Sequence, residues 1–197
     1  IYDGYGFARI PDTVEQLLAG AAARPLPPAA LAGLAPRADT VILLLVDGLG
    51  WRFFGPRVER YPLLQRFVGQ GVVSRLTTMF PSTTAAHVTA IHTGLHPAAS
   101  GVYEWFFYEP SLRRMIAPLL FSFAGDKGRD SMLAADVDPA RLFPATTFYQ
   151  RLAAAGVRST VMQHVGYARS PYTNVVTAGA EVVGFREGRT LLMPLGD

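Results

Sequence analysis

At 197 residues the chain has the length of about one domain, with room for a sizeable core, and its balance of 50% hydrophobic to 17% charged residues excludes a disordered chain. Its net charge of +3 comes mostly from scattered arginines, with Lys127 the only lysine, so there is no basic stripe of the kind that tracks nucleic acid. The 19 glycines have no triplet period, no apolar run reaches the 18 or so residues of a membrane span, and the absence of cysteine excludes a disulfide framework and a thiolate zinc site.

In chain order, residues 1–39 are expected to be a lead-in. A short helix is expected from Asp12 to Leu18, with Asp12 as cap, Val14, Leu17 and Leu18 on its apolar face, and Gly20 as stop. Ala21 to Pro36 is rich in Ala and Pro and reads as an irregular connector. Thr40 to Val46 is the clearest strand, apolar on both faces as a covered parallel strand is, and it ends in Asp47-Gly48-Leu49-Gly50. Helical spacing resumes over Arg57 to Phe67 despite Pro62, Gly71 stops it, and Val72 to Leu76 reads as a second strand. Pro81-Ser82-Thr83-Thr84 is a helix-start signal for Ala85 to His92, with Gly94 as stop. The segment from Leu95 to Pro110 reads as an aromatic-rich loop. Phe148 to Ala155 is helical, Val157 to Val165 a strand, and Val182-Val183 and Leu191-Leu192 are further short strands. This alternation predicts an α/β fold with a mostly parallel sheet.

Two residues stand where chemistry is expected. Asp47 follows six apolar residues, at the strand end where α/β sheets place their crevices; it is either a metal or ligand contact or the cap of an ordinary Asp-Gly turn. Gly48 and Gly50 do not form a dinucleotide fingerprint, because Phe53 occupies the third glycine's position. Thr84 is either a helix N-cap or a nucleophile at the positive end of a helix. As a nucleophile it needs a base or a metal to activate its hydroxyl. His87 lies three residues on, on the same helical face, and is either a phosphate contact or a satisfied internal residue. Arg113 and Arg114 are either anion contacts or a solvated pair.

Val41 to Gly50 (VILLLVDGLG), Phe80 to Pro97 (FPSTTAAHVTAIHTGLHP) and Gly101 resemble the alkaline phosphatase superfamily, and within it the type I phosphodiesterase/nucleotide pyrophosphatase branch. Leu152 to Thr160 (LAAAGVRST) is similar to that family's helix-to-strand passage. The resemblance implies a three-layer α/β/α fold with a mostly parallel sheet, 40–197 being the N-terminal portion of one catalytic domain. It implies hydrolysis of phosphodiester or pyrophosphate bonds in a small-molecule phosphoester, through a covalent phospho-threonine. Two divalent ions, expected to be zinc, are implied, with Asp47 and Thr84 binding one of them and Thr84 as nucleophile. Thr84 is preferred over Ser82 and Thr83 by its spacing from Pro81 and from Thr93-Gly94-Leu95-His96-Pro97.

The sequence departs from the family pattern twice. Trp105 stands where nucleotide pyrophosphatases place an asparagine, so Tyr103, Trp105 and their aromatic neighbours are either a substrate wall or core cover. None of Asp126, Asp130, Asp136 and Asp138 has a histidine four residues on, and no Asp-His pair occurs. The remaining zinc ligands are therefore expected outside this chain. Together with the start at Ile1, this predicts a truncated enzyme, inactive by itself. A phosphomonoesterase or phosphonate-type hydrolase and a catalytically inactive binding domain are the alternatives. No signal peptide is visible, and the compartment is left open.

Overall fold

The computed structural model describes residues 4–187. Helices and strands are mixed, and the chain divides into two compact units, Ile1–Thr78 and Met79–Asp197.

In the first unit, helix α1 spans Ile10–Ala19 and ends where Gly20 takes a left-handed conformation, its N–H bonding to the Gln16 carbonyl. Asp12 is not the cap but a buried first-turn residue, and its Oδ2 accepts the Arg24 N–H at 3.0 Å. Thr13 Oγ1 likewise accepts the Leu26 N–H at 2.9 Å, which pins the proline-rich connector against α1. Helix α2 (Trp51–Phe54) follows the Asp47 turn, and helix α3 spans Pro62–Gln70. Pro62 opens α3 because a first-turn residue needs no N–H partner, which places the helix start later than its apolar spacing suggests.

The expected strand at Thr40 to Val46 is a correction. The segment is unpaired, and its side chains are open to solvent: Ile42 is 75% and Leu44 70% exposed. A strand exists only through its ladder, and no described residue pairs with this one. The expected strand at Val72 to Leu76 is also unpaired; this stretch ends in a single bridge between Gly6 and Thr77.

The second unit begins with α4 (Thr84–Thr93) and a single turn, α5 (Pro97–Ser100). The aromatic segment then folds into an antiparallel meander: β1 (Phe107–Glu109), β2 (Arg114–Ala117) and β3 (Ser122–Phe123), with Phe107 opposite Ile116 and Ile116 opposite Phe123. Helix α6 (Phe148–Ala154) starts at a capping box in which Thr147 accepts the Gln150 N–H and the Gln150 side chain accepts the Thr147 N–H. Strand β4 (Thr160–His164), helix α7 (Pro171–Val176) and strand β5 (Glu181–Phe185) form a parallel crossover, Val161 lying opposite Val182. The described residues therefore hold a three-stranded antiparallel sheet and a two-stranded parallel one, where a mostly parallel three-layer sheet was expected. Leu191-Leu192 lie outside the described residues.

The core of this unit gathers Val102, Phe107, Ile116, Phe121, Met132, Phe143, Tyr172 and Val176, and Ala85 reaches it from the first turn of α4. Phe143 makes an edge-on contact with Tyr172 at 5.0 Å between centroids. Most of the enclosed positions of α4 carry small residues, Ala85, Ala86, Thr89, Ala90 and Thr93, and the larger Ile91 and His92 are buried near its C-terminal end. Two hydrogen bonds tie α4 to its neighbours: Thr89 Oγ1 to the Tyr172 hydroxyl and His92 Nδ1 to the Tyr149 hydroxyl, both at 2.8 Å.

Candidate active site at the start of helix α4

The Ser/Thr cluster resolves into distinct positions. Thr83, not Thr84, is the N-cap of α4. Its Oγ1 accepts the Ala86 N–H at 3.3 Å and donates to the Tyr103 carbonyl at 2.8 Å. One hydroxyl thus serves the helix and also holds the aromatic segment beside it. Thr84 is the first helical residue and half-buried; Ser82 is exposed in the preceding loop. The first amides of a helix have no partner within it, and the dipole there is positive, so the Thr84 hydroxyl stands where an anion is favoured.

His87 sits one turn into α4. Its Nδ1 lies 2.7 Å from the Thr83 carbonyl oxygen, and its Nε2 accepts the Met79 N–H at 3.4 Å. Tyr103 is 39% exposed and stacks on Phe107 with centroids 4.7 Å apart. Trp105 is half-buried against the core, and its backbone N–H donates to Glu104 Oε1 at 2.7 Å. Of the sequence candidates, Thr84, His87 and Tyr103 are thus linked through Thr83, while Trp105 serves at least partly as core cover. Thr83 itself is the residue that spacing alone passed over. Its signal was a capping hydroxyl directly before an Ala-rich helix, hidden among three adjacent hydroxyls.

Asp47 belongs to the first unit. It is exposed in the turn after the apolar segment, where Gly48 has a φ of 75° and the Gly50 N–H bonds to the Gly48 carbonyl. Arg114 is not a simple solvated cation, because its guanidinium lies 3.6 Å above the Phe123 ring. Arg113 occupies the turn between β1 and β2 with a φ of 53°. His92 is buried, and desolvation lowers its pKa from 6.5 to about 4, so the imidazole is neutral near pH 7. Burial also pushes the Tyr149 and Tyr172 phenols well up, although the bond to Thr89 partly offsets this for Tyr172.

Among the described residues, no three His, Cys, Asp or Glu side chains stand together to hold a metal. A zinc site takes three or four protein ligands, so the described residues do not by themselves fit a two-zinc centre. No helix among them is long and apolar enough to cross a membrane.

Comparison with curated proteins and with solved structures returns no match. A family model, Type I phosphodiesterase / nucleotide pyrophosphatase, matches residues 41–178. That span covers more than half of the chain and includes the Asp47 turn, the start of α4, the aromatic meander and the β4–α7 passage. The chain therefore belongs to the type I phosphodiesterase/nucleotide pyrophosphatase family, within the alkaline phosphatase superfamily.

Proposed function

We propose that the protein hydrolyses phosphodiester or pyrophosphate bonds of a small-molecule phosphoester through a covalent phospho-threonine on Thr84. The observation that carries this reading is the division of labour at the start of α4. Thr83 spends its hydroxyl on the cap and on Tyr103, and Thr84 stands at the first helical position. Family membership supports hydrolysis of this general type.

In the reaction the Thr84 oxygen bonds to phosphorus and loses its proton. The phosphorus–oxygen bond to the departing alcohol or phosphate breaks, and the leaving oxygen takes up a proton. Water then attacks the phospho-threonine, and the hydroxyl is restored. The first-turn amides of α4 favour the phosphoryl oxygens. Tyr103, with Phe107 stacked behind it, and Trp105 form an aromatic wall for the substrate.

Asp47 and Thr84 are the donors this chain offers to a divalent cation, with zinc the expected metal of a two-ion site. Such a cation, when bound, lowers the pKa of a coordinated hydroxyl. The donors needed to complete the set are not gathered among the described residues, and no step above is routed through the metal. The three-layer, mostly parallel architecture belongs to the same proposal.

The test is acid-quenched mass spectrometry of the zinc-supplied intact protein with an aryl phosphodiester. The expected result is a phosphoryl-ester adduct on the peptide holding Thr84, absent in Thr84→Ala together with turnover. An adduct on Ser82 or Thr83, or full turnover by Thr84→Ala, would refute the assignment. Preferential turnover of the aryl monoester would favour a phosphomonoesterase.

A further inference from the structure

We infer that His87 is a positioning residue: its ring clamps the loop from Met79 to Thr83 and so fixes where Thr84 enters α4. The inference rests on the reading of Thr84 given above. The two ends of this loop meet on one imidazole, Met79 through its N–H to Nε2 and Thr83 through its carbonyl to Nδ1. A backbone amide can only donate, so Nε2 is an acceptor. A neutral imidazole with an accepting Nε2 carries its proton on Nδ1, and that proton is donated to the Thr83 carbonyl.

The Met79 side chain is buried, but Phe80 is 79% exposed and Ser82 is exposed. The Thr83 carbonyl also accepts the His87 N–H at 3.1 Å, so both the ring and the backbone of His87 bond to the residue preceding Thr84. Since both ring nitrogens are used on the loop, His87 acts through Thr84 rather than on the substrate. Loss of the clamp leaves the Met79 amide unpaired and loosens the approach to the nucleophile, where a misplacement of about 1 Å costs on the order of 100-fold in rate.

Two measurements on the intact protein test this. The first is turnover of bis(4-nitrophenyl) phosphate with zinc supplied. His87→Ala is expected to lower kcat tenfold or more with KM within twofold. His87→Asn, whose amide N–H stands near the position of Nδ1, is expected to recover most of the loss. A KM that rises while kcat holds, or an alanine variant equal to wild type, would overturn the inference. The second is the ¹⁵N spectrum of His87 in the wild type, which needs neither activity nor a stable variant. Protonation at Nδ1 is expected, and protonation at Nε2 would overturn the clamp. If the wild type turns over no phosphodiester, the hydrolase reading falls, and the tautomer alone decides the clamp.

Discussion

Acid should loosen the second unit through one imidazole. His92 is buried in α4 with Nδ1 on the Tyr149 hydroxyl, and burial lowers its pKa from 6.5 to about 4. Above pH 6.5 it is neutral both folded and unfolded, and the full stability is present. As pH falls from 6.5 toward 4, the unfolded chain takes up a proton that the folded one refuses, so stability is lost progressively and the loss levels off below about 4. The drop from 6.5 to about 4 corresponds to about 3 kcal/mol. That is a large share of the roughly 5–15 kcal/mol that holds a typical domain together. The assay is urea unfolding at several pH values between 7.5 and 4, followed by Trp105 fluorescence in a Trp51→Phe background. His92→Asn keeps a polar partner for Tyr149 but does not titrate. Carboxylates and other histidines cancel in the difference between wild type and variant. The wild type should lose about 3 kcal/mol more than the variant over that range, and superimposable pH profiles would refute the reasoning.

Three further outcomes can be measured. Gly179 has a φ of 95°, and a Cβ there would stand 2.6 Å from the Gln150 nitrogen, so Gly179→Ala should destabilise by about 2–4 kcal/mol in chemical denaturation; an unchanged midpoint would contradict this close approach of the two backbones. Thr83→Ala removes the α4 cap and should cost about 1 kcal/mol, with Thr83→Ser restoring it by the same measurement; equal stability of the alanine variant would show that the cap contributes nothing. Asp47→Asn should lower the zinc content of the metal-loaded intact protein on elemental analysis, and unchanged stoichiometry would remove Asp47 from the ligand set.

Helices α1, α3, α4 and α6 were legible in the sequence, whereas the shorter α2, α5 and α7 were not. Gly20 and Gly94 end α1 and α4 in left-handed conformations, as a stop residue does, and the Ser/Thr cluster marks the start of α4. Strands β4 and β5 were found because their β-branched runs pair with each other in register. The meander was missed for a physical reason. Its strands are two to four residues long, too short to show a period, and their turns rest on positive φ at Arg113 and Phe121, neither of which is a usual turn residue. The Thr40 to Val46 error runs the other way. Six apolar residues fit a buried strand, but composition cannot supply the neighbours that would bury it. At the site, spacing singled out Thr84, while the work of Thr83 and the double engagement of His87 depend on where backbone carbonyls point, which residue spacing does not encode.

The bare stretch from Ile42 to Val46 also bears on how this polypeptide behaves in the test tube. Five uncharged aliphatic residues in a row, with no proline and a backbone free of any ladder, have the composition from which stacked fibrils and amorphous precipitates nucleate. The nearest charges are Asp39 and Asp47, and they act as its only gatekeepers. Turbidity on concentrating the sample is therefore an expected outcome of this exposed stretch. Loss of charge at either flanking aspartate by substitution lowers the barrier to clumping.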